Sequence, residues 1–325
     1  MSGGLGYALR RLWQGALTML LIVVFNFFLL RLAPGDIVDV MIGQAGGGSP
    51  EAMAAMRQQF GLDQGALVQF LRYIGNLLQF DLGYSFSNSA PVTELILGRL
   101  PASALLMVTT LVVAGLAGTL LGTLGAVWRG RLVDRIASAF SMIGFAVPVF
   151  WLALMLVVVF AVQLRWLPAN GMVNLLSEAT GWRRALDIAR HMILPVTSLA
   201  FYYTAIYARL SRAALLDVAK ADYVRTARSK GLGATRIVLR HQLRNALLPL
   251  VTMTGLQLGA LFSGSVVIES IFAWPGLGRL AFDAVFARDL TLLLGILFFS
   301  SLLVVVMNLL TDFLYAFLDP RIELA

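Results

Sequence analysis

The chain has 325 residues, of which 59% are hydrophobic and 13% charged, with mean hydropathy +0.83. That charged fraction is about half the ~25% of soluble domains, which excludes an ordinary water-soluble fold. The absence of cysteine excludes a disulfide framework and a thiolate site, and the formal charge of +8 does not point to nucleic acid because the basic residues lie between apolar stretches.

Six apolar stretches each approach the ~20 residues a helix needs to cross ~30 Å of hydrocarbon. The first, residues 12 to 30, follows Arg10 and Arg11. It exceeds the ~7–15 residues of a signal-peptide core, and RLAPGD follows it instead of a cleavage pattern, so an uncleaved helix is expected. Residues 31 to 99 are too long for a plain loop and are expected to carry structure of their own. GQAGGGSP, from Gly43 to Pro50, reads as a joint, Pro50 as a helix start, and Leu67, Phe70, Leu71, Ile74 and Leu78 as a helix face. Such helices suit the outer interface, the cap of a pore mouth, or simple packing over the membrane helices.

The second stretch, 100 to 127, carries Gly115, Gly118, Gly122 and Gly125 at steps of three and four, a face for close helix packing. The third, 136 to 162, holds Pro148 and the fourth, 192 to 208, holds Pro195; each proline removes a backbone donor and is expected to kink its helix. Residues 209 to 245 then form a charged island. Within it Asp222 is expected to cap a short helix, Gly231 to end it in the left-handed conformation, and Thr235 to cap the next. From Asp222 onward, Arg225, Arg228, Lys230, Arg236, Arg240 and Arg244 face one acid, Asp222. That charge suits anionic headgroups, an acidic partner groove, or an ordinary positive-inside loop. The fifth stretch, 246 to 268, repeats the small-residue pattern with Gly255, Gly259 and Ser263; the sixth, 290 to 318, has Asp312 near its end.

Six spans place both termini on one side, together with Arg129, Arg131, Arg135 and the nine Lys and Arg residues from Arg209 to Arg244. The other side carries ten Arg against eleven Asp or Glu, so the first side is expected to be cytoplasmic. The cores of the first five spans contain no ionisable residue, which argues against an ion-coupled secondary transporter and predicts a path lined by small and weakly polar groups. Enzymatic motifs fail too. His191 and His241 are the only histidines and are expected on opposite sides, no G-x-S-x-G occurs, and neither lysine, Lys220 or Lys230, follows a glycine, so no Walker A cradle can be written.

Ten segments in order carry a resemblance that spans nearly the whole chain: RLAPGD at Arg31, FGLD at Phe60, DLGYSF at Asp81, PVTELI at Pro91, PVFWLAL at Pro148, ARLSRAALLDV at Ala208, DYVRTARSKGLG at Asp222, RHQLRNALLP at Arg240, VVIESIFAWPGLG at Val266 and LYAFLDPRI at Leu314. With them the chain resembles the permease subunits of ATP-binding-cassette importers of the dipeptide, oligopeptide and nickel family, in the subunit type with a large outer loop after the first helix. The resemblance implies an all-α polytopic fold of about six transmembrane helices, the type I importer permease fold, in the inner cell membrane. It divides the chain into residues 1–30, an extracytoplasmic region 31–99, and a core 100–325 that includes the loop 209–245.

The resemblance also implies that the island carries the EAA motif, a coupling helix seated in a groove of a cytoplasmic ATPase. Asp222, Tyr223, Arg225, Thr226, Ala227, Arg228, Lys230 and Gly231 are its residues here. The motif's leading glutamate is Arg225, followed by Thr226 and Ala227, with Gly231 four residues on; the later Ile-x-Leu-Pro positions read His241, Gln242, Leu243 and Arg244, with Pro249 as the nearby proline. Gly118, Gly122, Pro148, Gly255 and Gly259 are the expected packing or path positions. Implied partners are a homologous second permease, two ATPase subunits, an extracytoplasmic binding protein and membrane lipid, with no nucleic acid. ATP and Mg are implied only on the ATPases, and no catalytic, metal or cofactor residue on this chain. The cargo is expected to be a di- or oligopeptide, with nickel, glutathione or another small solute as alternatives.

Overall fold

The computed structural model describes residues 2–32, 38–39, 42, 47, 49–60, 62–174 and 180–318. Most of the Gly43–Pro50 joint, the RLAPGD segment beyond Leu32, and Arg321 lie outside them.

Apolar chain in a bilayer must bond its own backbone, which leaves the helix as the economical element. In order, the elements are α1 (Ser2–Leu32), α2 (Pro50–Phe60), α3 (Ala66–Leu78), a hairpin of β1 (Tyr84–Ser85) and β2 (Ala90–Pro91), α4 (Val92–Val127), α5 (Leu132–Ala146), α6 (Val149–Leu156) running on as a π-helical segment (Val157–Gln163), and α7 (Gly181–Val218). Then follow α8 (Asp222–Ser229), α9 (Ala234–Ile237), a π-helical turn (Val238–Gln242), α10 (Leu243–Ala246), α11 (Leu248–Gly264), α12 (Val266–Ile271), α13 (Leu277–Phe286) and α14 (Leu290–Leu318). The antiparallel hairpin pairs Tyr84 with Pro91 and Ser85 with Ala90 and is the one sheet among the described residues.

Residues Leu9–Leu29, Val92–Val127 and Leu290–Asp312 are long and apolar enough to cross a membrane, and α5 with α6, bent by 99°, makes a fourth candidate. The fourth and fifth expected stretches fall short of that standard for physical reasons. α7 carries Arg183, Arg184 and Arg190 towards one end and Arg209 and Arg212 towards the other, and α11 has 17 residues. Pro148 stands at the break between α5 and α6, as the N-cap of α6. Pro195, in contrast, sits inside an uninterrupted α7, where it is buried.

The chain forms two compact units. One is built from Met1–Leu100 and Leu280–Leu309, the other from Pro101–Arg279 and Leu310–Arg321. In the first unit Phe27 of α1 meets Phe70 of α3 edge-on, with ring centroids 5.1 Å apart. Asp289 fastens the hairpin there: it accepts from the hydroxyls of Ser85 and Ser87 and from the backbone N–H of Leu292. In the second unit α5 runs antiparallel to α7, as Asp134 meets Arg212, Phe140 meets Phe201 and Phe145 meets Tyr202.

Candidate functional site

α8 is an eight-residue amphipathic helix. Val224 and Ala227 are buried on one face, where they pack with Ile237 of α9 and with Val218, Ala221 and Leu232. Asp222, Tyr223, Arg225, Thr226, Arg228 and Lys230 are exposed. The helix ends in a Schellman arrangement: Gly231 N–H donates to Arg228 O at 2.9 Å and Leu232 N–H to Ala227 O at 3.3 Å, with Gly231 at φ +73°. Leu232 folds back on the same apolar cluster, the hydrophobic contact that accompanies this motif. The expected left-handed glycine end is thus present.

The expected caps are not. Ala221 is the N-cap residue of α8 and Asp222 lies inside the first turn, where its carboxylate stands 3.5 Å from Arg225. Gly233 is the N-cap residue of α9, and Thr235 lies within that helix. An acid in the first turn still complements the helix dipole, so Asp222 acts through charge instead of a side-chain hydrogen bond. The Asp222–Arg225 pair is highly exposed on both sides, so it contributes little. Tyr223 fixes the helix to the segment beyond, its hydroxyl accepting from Asn245 Nδ2 at 2.7 Å.

The glycine face of α4 divides into unequal parts. A Cβ on Gly118 would meet Tyr207 Cβ and stand 2.8 Å from Thr204 O; one on Gly122 would meet Ser211 Oγ and Ala208 O and stand 2.9 Å from Arg212 N. Gly125 has room at ordinary contact distance and Gly115 has nothing within 4 Å. The close approach of α4 to α7 therefore rests on Gly118 and Gly122. Gly255 of α11 likewise faces Thr311 of α14, whose Cβ would lie 2.7 Å from an added carbon. Gly259 is in α11, but its surroundings lie outside the described residues.

Two polar centres escaped the reading of the sequence. Asp134 accepts from Arg212 Nε at 2.6 Å and Nη2 at 3.0 Å, and from Gly130 N–H at 2.8 Å, a fork-to-fork pair joining the start of α5 to α7. Glu269 of α12 is wholly buried and accepts from the hydroxyls of Ser103 at 2.7 Å and Ser265 at 3.0 Å and from Arg279 N–H at 3.0 Å. Burial pushes its carboxyl above the usual carboxylate range, against the pull of these donors. Ser103 also accepts from Leu277 N–H at 2.8 Å, and Trp274 donates to Ala102 O at 2.9 Å. Glycine at 276 leaves room for this cluster, since a Cβ there would meet both Glu269 and Ser103. No group of three or more His, Cys, Asp or Glu able to hold a metal occurs among the described residues.

Beside the Asp134–Arg212 pair lies a cavity of about 540 Å³, lined by α5 and α7 with Ser138, Ser141, Phe145, Arg209 and Arg212 on its wall. The Arg209 guanidinium stands 5.8 Å from the centroid of the Phe145 ring.

The family described as binding-protein-dependent transport system inner membrane component matches residues 118–324, and its N-terminal companion family matches residues 5–107. A protein of Brucella abortus (strain 2308) that carries the name peptide transport system permease protein is 39% identical over 315 residues, covering 97% of this chain and 98% of its own. The glutathione transport system permease protein GsiC of Salmonella paratyphi A is 40% identical over 319 residues, covering 98% and 99%. In fold, the chain is similar to the inward-facing MetNI methionine ABC transporter, with TM-score 0.55 and 18% identity over 69% of this chain and 96% of that one.

Proposed function

We infer the role of this chain from what it is: it belongs to the binding-protein-dependent transport system inner membrane components and is a multi-pass inner-membrane permease subunit of an ATP-binding-cassette importer. Its fold is the helical type I importer fold. We propose that its cargo is a short peptide. The observation that carries this reading is end-to-end similarity to relatives named for peptide and for glutathione transport. Glutathione is itself a tripeptide, so both names describe small, flexible chains bearing carboxylates. Nickel and other small solutes are the competing cargo.

In this reading the permease core, 100–325, pairs with a homologous second permease. The extracytoplasmic region 31–99 faces a binding protein, both termini are cytoplasmic, and ATP and Mg are handled by two ATPase subunits. The exposed face of α8, with Tyr223, Arg225, Thr226, Arg228 and Lys230, is the docking face for an ATPase groove, and its buried Val224 and Ala227 pass the motion to the rest of the loop. What supports this is a short helix that ends at left-handed Gly231, is tied to the following segment through Tyr223, and presents cations outward. Gly118, Gly122, Gly255 and Gly259 are then packing positions, and Pro148 is the bend in the third span. Transport is a shift between two packed arrangements, driven by partners that prefer one of them.

The test is reconstitution of the chain with a homologous second permease, ATPases and a binding protein from the same organism. ATP-dependent uptake of dipeptides or glutathione is the expected result. Uptake of nickel alone would overturn the peptide reading, and uptake by this chain alone under an ion gradient would overturn the coupling reading.

A further inference from the structure

Arg209 ends a stretch of α7 in which residues 192 to 208 carry no charge, and it is exposed in the described chain. One turn further on, Arg212 is neutralised by Asp134. Arg209 has no ion pair among the described residues; its guanidinium rests against the Phe145 ring instead.

The position of that guanidinium is the informative point. Asp134 lies at the charged end of α5, next to Arg129, Arg131 and Arg135, and Phe145 lies 11 residues further along the same helix. At ~1.5 Å per residue this is about 16 Å of helix rise between their backbones. Helical side chains lean towards the N-terminus of their own helix, which for antiparallel α7 directs Arg209 away from the charged end. The guanidinium is thus carried inward from the Asp134–Arg212 pair and does not snorkel outward to the headgroups.

A cation at such depth is retained where it faces water or a partner, and such residues mark substrate pathways. The wall beside it supplies both conditions: a cavity of about 540 Å³, within the range of ligand-sized cavities, with Ser138 and Ser141 as further polar groups and Phe145 and Met142 as apolar ones. A lipid phosphate stays at the level of the headgroups and does not match this position. A carboxylate on a small flexible chain does, because a guanidinium fork pairs with it in two parallel hydrogen bonds.

We propose that Arg209 is a cation on the translocation path that receives the carboxylate of a passing peptide. The proposal rests on the peptide-importer reading above and amends the uncharged path expected from sequence. One group suffices to orient a carboxylate, and with Arg212 already neutralised the cavity offers a single attractive charge, which favours passage over trapping.

The experiment separates the site from the cargo. In the reconstituted importer, a cysteine introduced as Ser138→Cys reports on the cavity, since the chain has no other cysteine. An anionic methanethiosulfonate should modify it several-fold faster than a cationic one, and Arg209→Gln should bring the two rates together. Equal rates with Arg209 present, or no modification by either reagent, overturn the aqueous cationic site. For the cargo, ATP-dependent dipeptide uptake should fall at least tenfold in Arg209→Gln and recover in part in Arg209→Lys, while ATPase assembly and dipeptide binding to the binding protein remain intact. Unchanged uptake in Arg209→Gln overturns the proposal. So does a loss that tracks anionic lipid content in the vesicles, which would make this a lipid contact. If the reagent rates behave as expected but the unmodified complex imports no dipeptide or glutathione, the peptide reading fails and the cationic path stands for another anion.

Discussion

Gly122→Ala adds one carbon, and the structure fixes what it meets. The new Cβ would overlap Ser211 Oγ and Ala208 O and stand 2.9 Å from Arg212 N, in each case inside ordinary contact distance. The serine hydroxyl can rotate away, but the other two atoms belong to the backbone of α7. Relief therefore requires α4 and α7 to separate by on the order of 1 Å, a strain of about 1–3 kcal/mol for overpacking in a close-packed interface. Gly115→Ala is the matched control: same helix, same substitution, nothing within 4 Å. Replacing a helical glycine there should be neutral or favourable by up to ~1 kcal/mol. That propensity gain is common to both variants, so they should differ by the strain alone, roughly 1–3 kcal/mol. The assay is resistance of the purified complex to graded denaturing detergent, read beside ATP-dependent uptake. If Gly122→Ala and Gly115→Ala unfold at the same detergent fraction and transport equally, the α4–α7 approach is not set by these glycines.

Gly231→Val should disturb coupling through the backbone alone, because a Cβ there meets nothing within 4 Å while φ is +73°. The left-handed penalty of about 1–2 kcal/mol should lower transport and substrate-stimulated ATP hydrolysis more than membrane insertion; unchanged stimulation would count against α8 as the coupling element. Asp134→Asn should cost about 3 kcal/mol, since it leaves Arg212 without its countercharge, whereas exposed Asp222→Asn should cost well under 1 kcal/mol; detergent denaturation of both compares a half-buried pair with a solvated one. Ser103→Ala strands Leu277 N–H and one acceptor site of buried Glu269, and a loss of about 1–3 kcal/mol is expected. Single cysteines placed at 47 and 229 test sidedness: an impermeant thiol reagent outside intact cells should label position 47 alone.

Much of the helical layout is legible in local sequence. Pro50 starts α2, the spacing from Leu67 to Leu78 matches α3, and residues 290 to 318 form α14. These are signals of period and composition, which act within a few turns. The Gly231 end is legible for the same reason, since a left-handed residue is selected by its own φ. What failed is what needs a partner. Asp222 and Thr235 have the chemistry of caps, but the chain turns into the helix one residue before Asp222 and two before Thr235. The four glycines of α4 share a face by spacing, yet only α7 decides that Gly118 and Gly122 bear the contact. Asp134 and Arg212 are separated by 78 residues, and Arg209 reads as the edge of a charged loop until α5 shows where its guanidinium rests.

The Glu269 cluster has a consequence for the order of synthesis. Its acceptor and Ser103 are separated by 166 residues, so the hydroxyl enters the membrane long before its carboxylate exists. Until then Ser103 can only bond back to its own helix, a weak substitute. The final arrangement closes when Leu277 N–H and Arg279 N–H have arrived, after all but the last helix of the second unit has been made. A nascent chain stopped short of residue 279 would therefore hold its helices without this clasp, open to the quality-control proteases that read unfinished membrane proteins. Release from that exposure depends on the last few residues of one short turn.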